Sequence, residues 1–127
     1  MTTVNYTCAD DPSSQDGSVQ VYTWTPLTTT NADGGPLRFP SAADRSVHVS
    51  GTFSAAATVV IEGSNNGGTS WVTLNDAQGN ALSLTAEGLK QIVELPLAVR
   101  PRISAGGDGS TSITVTIVAR RPNPMRT

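Results

Sequence analysis

The chain has 127 residues and a formal charge of -2, with charged residues at 14% and aromatic residues at 5%. That length fits one domain with one modest core. So weak an acidic balance offers no general attraction for a phosphate backbone, which argues against nucleic acid as the main partner. No apolar run is long enough for a membrane-crossing helix and no membrane partner is expected; the single cysteine, Cys8, allows no intrachain disulfide, and synthesis in a reducing cytoplasm is the expectation.

Thr, Ser, Gly, Ala and Val dominate the composition, which favours strands and turns over charged surface helices. Residues 1–18 are polar and unpatterned and read as an arm that orders only when something binds it. Val19–Thr25 alternates, with Val19, Val21 and Thr23 on one face and Gln20, Tyr22 and Trp24 on the other; both faces carry bulk. The first set reads as the core face, which leaves Tyr22 and Trp24 for a subunit contact or for a place beneath the arm. Pro26 ends that run, and residues 31–36 concentrate turn formers before the short apolar piece Leu37–Pro40.

Arg45–Phe53 is a half-buried strand pattern, with Val47, Val49, Gly51 and Phe53 inward and His48 on the polar side. Ala57–Gly63 and Thr69–Leu74 form a hairpin around Ser64-Asn65-Asn66-Gly67-Gly68, and a second turn at 75–80 leads into Ala81–Leu84. Residues 85–88 resemble one helical turn closed by glycine. Leu89–Leu95 continues as a strand with Leu89, Gln91, Val93 and Leu95 on one face, a helix over 86–93 being the rival assignment. Pro101 marks Leu97–Ser104 as an edge strand or bulge, and Thr111–Arg120 is the strongest strand pattern, followed by a tail at 121–127. Eight or nine short strands over residues 19–120 predict an all-β fold, a two-sheet antiparallel sandwich.

Chemistry is sparse. The only histidine, His48, has no nucleophile motif or orienting partner that the sequence locates, so no catalytic residue is assigned and no enzyme is expected. One His and one Cys exclude a conventional zinc site, the acids are dispersed among turns, and calcium held by converging turns is the metal alternative left open; no metal ligand or cofactor is assigned. Arg100, Arg102, Arg120, Arg121 and Arg126 gather toward the C-terminus, either as a solvated end or as a docking surface for an acidic protein. Trp71, after the first hairpin turn, reads as a core anchor, since two Trp, two Tyr and two Phe leave little else to fill a sandwich; a platform for a sugar ring is the alternative.

Ala43–Arg121 carries "ADRSVHVSGTF", "IEGSNNGGTSW", "LNDAQGNALSLTAEGLKQI" and "VRPRISAGGDGSTSITVTIVARR" in that order. The series resembles small structural proteins of tailed bacteriophages over about two-thirds of the chain. The resemblance implies a virion protein on the capsid surface, a decoration or cement protein bound to the major capsid protein. It also implies a jelly-roll-like sandwich with an extended N-terminal arm, no catalytic residues, and a homo-oligomer, trimer or dimer, as capsid symmetry favours. Tyr22, Trp24, Arg100, Arg102, Arg120 and Arg121 are the expected interface residues. The S-N-N-G-G-T-S-W hairpin is also similar to hairpins of discoidin-like sandwich modules, which makes a carbohydrate-binding or tail accessory module the alternative.

Overall fold

The computed structural model describes residues 3–10, 19–38 and 44–120. The chain is all-β. One antiparallel sheet has the order β1 (Thr7–Asp10), β2 (Val19–Leu27), β10 (Ser112–Arg120), β4 (Asp44–Thr52) and β8 (Gly88–Ile92). The second runs β3 (Leu37–Arg38), β9 (Ala98–Ala105), β5 (Thr58–Ser64) and β6 (Val72–Thr73), with β7 (Ser83–Leu84) also paired to β5.

The centre of the first sheet is β10, the segment with the cleanest period of two. Ile113, Val115 and Ile117 are fully buried, and they lie in register with Gly51, Val49 and Val47 of β4. Val59, Ile61 and Val99 close the core from the opposite sheet. Burying aliphatic side chains of this size contributes about 1.5–3 kcal/mol apiece relative to exposure, so this layer dominates the stability.

In β2 the core face is the reverse of the expected one. Trp24 is fully buried and Tyr22 is 6% exposed, while Val19, Val21 and Thr23 are only half-buried. Two causes combine. Trp24 fills the volume that the small residues of this sequence leave open, and its Nε1 donates to the Gly35 carbonyl at 2.9 Å. Between Trp24 and Leu27 the strand then carries one more residue than β10 does between Val115 and Ile113, a bulge that turns Leu27 inward beside Trp24. Pro26 therefore sits in a bulge within the strand and does not end it.

Part of the expected arm is strand. Thr7–Asp10 pairs with β2, Val4 bridges to Gly34, and the Tyr6 ring meets the Tyr22 and Trp24 rings edge-on at 5.6 and 5.5 Å. Tyr6 and Val4 supply the apolar cover that the polar composition of this segment hid. Residues 11–18 and the tail 121–127 lie outside the described residues.

Residues 85–88 form no helical turn, and β8 takes the strand assignment from Gly88. Ile92 is its buried residue, at 2% exposure, whereas Leu89 is 68% exposed. Lys90 shares a register position with fully buried Val47 at the margin of the sheet, and a charge on the core side of an edge strand opposes pairing with another sheet. β9 lies inside its sheet, between β3 and β5, and is not the edge strand expected from Pro101: the Pro101 carbonyl accepts from Gly34 N, so its missing N–H faces Gly34, ahead of the two-residue edge strand β3, where the ladder is fragmentary. The predicted strand Thr69–Leu74 contracts to β6, because Asn66 Oδ1 accepts from Ser70 N and Ser64 Oγ accepts from Gly68 N, which extends the turn.

Candidate docking faces

Two surfaces stand out, one charged and one apolar. The charged one lies on the outer face of the second sheet. Ile61 and Val59 of β5 point into the core, so Val60, Glu62 and Ser64 point away from it, yet all three are buried. Glu62 is covered by arginines of the neighbouring strand: Arg100 Nε donates to Oε1 at 3.1 Å, and Arg102 donates from Nε to Oε1 and from Nη2 to Oε2 at 3.1 and 3.0 Å. The fork geometry of guanidinium suits this carboxylate, and its hydrogen bonds hold the Arg102 guanidinium above its ordinary pKa.

Trp71 joins this layer and not the core. It is half-buried, with the Arg100 guanidinium carbon 4.3 Å from its ring centroid, an electrostatic contact between cation and π face. The core-anchor reading of Trp71 is thereby corrected, Trp24 holding that place. Gly68, with φ of 90°, brings the turn against the ring: a Cβ there would stand 3.5 Å from Trp71 Cζ2 and 3.8 Å from Arg38 Nη2. Arg38 is exposed and pairs in register with Ala98, which places it on the same face as Arg100.

The apolar surface follows β8 and the connector to β9. Among the described residues the exposed large apolar side chains are Val72, Leu89, Val93, Leu95 and Leu97. Four of them alternate along β8 and the connector from β8 to β9. The connector is fixed in place: Val93 N donates to the Asn75 carbonyl at 3.1 Å, Leu97 N to Asn65 Oδ1 at 2.8 Å, and the Glu94 carboxylate accepts from Asn75 N and Nδ2 at 2.8 and 2.6 Å. Val72 and Leu95 line a cleft of about 540 Å³, with Leu74 and Pro96 at its apolar side and Asn65, Asn66 and Ser70 at its polar side.

Of the residues singled out in the sequence, Arg100 and Arg102 are brought together on one face. Arg120 ends β10 in the other sheet, in register with Val19 and Asp44, and Arg121 lies outside the described residues. Tyr22 and Trp24 are core residues, so burial leaves neither free for a subunit contact, and burial pushes the Tyr22 phenol up. His48 is exposed, with Nε2 2.9 Å from Glu87 Oε2. The described residues hold no cluster of three metal-binding side chains. Glu62 and Arg38 escaped the sequence reading, although an acid at the alternate position of an apolar run, V-V-I-E-G-S, is the signal of a carboxylate that a sheet must neutralise.

Two carboxylates give the fold an acid-sensitive component. Glu94 is held below its ordinary pKa, first by the backbone N–H of Asn75, and Asp108 is held low by the Ser54 hydroxyl and then by Ser110 N. A folded-state pKa below the unfolded one stabilises the protein above the unfolded value, near pH 4 for carboxylates, and that contribution is lost as pH falls through the folded value. The urea midpoint is therefore expected to fall below about pH 5, and the decline is expected to flatten in a Glu94→Gln, Asp108→Asn double variant. An unchanged slope in that variant would place the acid sensitivity elsewhere.

Comparison with protein-family models, with curated proteins and with solved structures finds no match to this chain. Fold and surface define an all-β sandwich whose organised features, among the described residues, are faces.

Proposed function

We propose that the chain is a structural virion protein of a tailed bacteriophage, one that decorates the outside of the assembled capsid and stabilises it through non-covalent contacts with the major capsid protein. The observation that carries this reading is the run of exposed apolar side chains Val93, Leu95 and Leu97 on the β8–β9 connector, with Val72 beside Leu95 in the same cleft. Exposed apolar side chains gathered on one side, rimmed by polar groups, mark protein interaction surfaces, whereas scattered ones need no explanation. The strip is on a braced connector, so docking costs little ordering entropy there.

The strand order supports the jelly-roll part of the reading. β2-β10-β4-β8 faces β3-β9-β5-β6, with the chain switching sheets at β2 to β3, β3 to β4, β4 to β5 and again through β8, β9 and β10. Jelly rolls of this kind serve viral capsids and lectins alike. The phage role itself comes from the motif series in 43–121, and a trimer or dimer is the assembly that capsid symmetry favours.

Trp71 and the adjoining surface support a second reading, a carbohydrate-binding module, since the ring is half-exposed on the outer face. Co-sedimentation with undecorated heads of the cognate phage separates the two. Saturable binding at a fixed ratio to the major capsid subunit is the expected result. Absence of binding by folded protein, with retention on immobilised host glycans, would overturn the decoration role.

A further inference from the structure

We propose that Arg38, Arg100 and Trp71 form a cradle on the outer face of the second sheet that receives an aspartate or glutamate carboxylate of an acidic protein partner. The assignment rests on the protein-docking reading above and names the chemistry of a second contact, apart from the apolar strip.

Four observations meet at this place. The Arg100 guanidinium is fixed, with Nε on the Glu62 carboxylate and its plane's carbon 4.3 Å from the centroid of the Trp71 ring. Its two Nη groups, and the whole Arg38 guanidinium, have no acceptor among the described residues. Gly68 has no side chain to fill the space where Trp71 and Arg38 approach each other, a Cβ there lying within 3.8 Å of both. Glu62, at 6% side-chain exposure, is shared between Arg100 and Arg102, so one buried carboxylate faces two guanidiniums and a third stands beside them.

Charge decides the occupant. Arg38, Arg100 and Arg102 outnumber the carboxylates of Glu62 and of Asp33, which bridges in register to Arg102 at the far end of the face. The end near Trp71 is thus a positive spot on a chain whose net charge is -2. A guanidinium presents its donors as a planar fork that fits a carboxylate, and one already immobilised by an ion pair and a ring loses little entropy when it binds a second acceptor. A sugar ring is the poorer occupant, because Arg100 covers the face of Trp71 on which it would stack.

The test is a titration of the full chain with an acetylated hexaglutamate peptide, followed by NMR through the two tryptophan indole N–H signals. A Trp71→Phe variant assigns the signals. The Trp71 signal is expected to shift saturably while that of Trp24 stays fixed, and the shift is expected to disappear at high salt. Arg38→Gln, a change at an exposed position, is expected to weaken binding at least fivefold, and Arg100→Gln at least tenfold. No shift, or the same affinity in both variants, would overturn the cradle; tighter binding of polysialic acid than of the peptide would overturn its assignment to a protein carboxylate. The same variants on phage heads keep the two readings apart: heads bound normally by Arg38→Gln and Arg100→Gln sink the cradle alone, and heads unbound by the wild type sink the decoration role alone.

Discussion

Trp24→Ala is expected to lower the unfolding free energy by about 3–5 kcal/mol, the range for removing a large aromatic side chain from a packed core. Domains of this size are stable by about 5–15 kcal/mol, so about a fifth or more of the total goes with one side chain. Three losses combine in this variant. The fully buried indole leaves a cavity between the sheets, the Gly35 carbonyl loses the Nε1 donor, and Tyr6 loses an edge-on partner that helps to hold the 3–10 segment on β2. Trp24→Phe keeps much of the volume and forfeits the hydrogen bond, and about 1–2 kcal/mol is expected for it. Trp71→Ala makes the contrast, because its half-exposed ring contributes chiefly the Arg100 contact, about 0.5–1 kcal/mol at such a site. Urea midpoints of the three variants check the order. A larger loss for Trp71→Ala than for Trp24→Ala would mean that the core is anchored from the hairpin after all.

Glu62→Ala is expected to cost about 2–4 kcal/mol, somewhat under the 3–5 typical of breaking a fully buried pair. The discount has a structural cause. Arg100 and Arg102 side chains are 19% and 33% exposed, so both guanidiniums regain some hydration once the carboxylate is gone. Glu62→Gln retains an acceptor but no charge, and about half of that loss is expected. Chemical denaturation of both variants with matched Arg102→Gln measures the pair, and a change below about 0.5 kcal/mol for Glu62→Ala would show that the arginines hold their places without it. The result also bears on docking, since the Glu62 carboxylate holds the Arg100 guanidinium in place against Trp71.

The strands with one clean apolar face were legible in the sequence. In β4 only one parity carries Val, and in β10 Ile113, Val115 and Ile117 share one parity against the single Val118 on the other, so the period of two fixes both the element and its inward face, and His48 falls on the polar side as the alternation requires. β2 was not legible in that way. Its two faces carry comparable bulk, and the choice between them depends on a bulge opposite β10 and on the cavity volume that Trp24 fills, both of which arise only when the strands pair. Thr7–Asp10 was misread for a related reason: an edge strand with a polar sequence gains its order from the ladder to β2 and from Tyr6, which composition does not reveal.

The docking faces followed the same division. Arg100 and Arg102 stood two apart in a strand, so their shared face was readable from spacing alone. Arg38 and Glu62 come from other strands, and their meeting with Arg100 is a consequence of sheet order. The direction of the Leu89, Val93 and Leu95 face was not readable from their alternation, and the pairing of β8 with β4, which buries Ile92 and sets Leu89 beside His48, is what turns it outward.

Leu95→Asp in the co-sedimentation assay tests the central claim most directly. Leu95 is 56% exposed beside Val72 and Pro96, so the folded monomer tolerates the change, while a charge placed within an apolar interface opposes docking. The expected result is an unchanged urea midpoint together with at least a tenfold loss of affinity for undecorated heads. Binding of Leu95→Asp at wild-type affinity and stoichiometry would contradict the claim that this side of the sandwich meets the capsid.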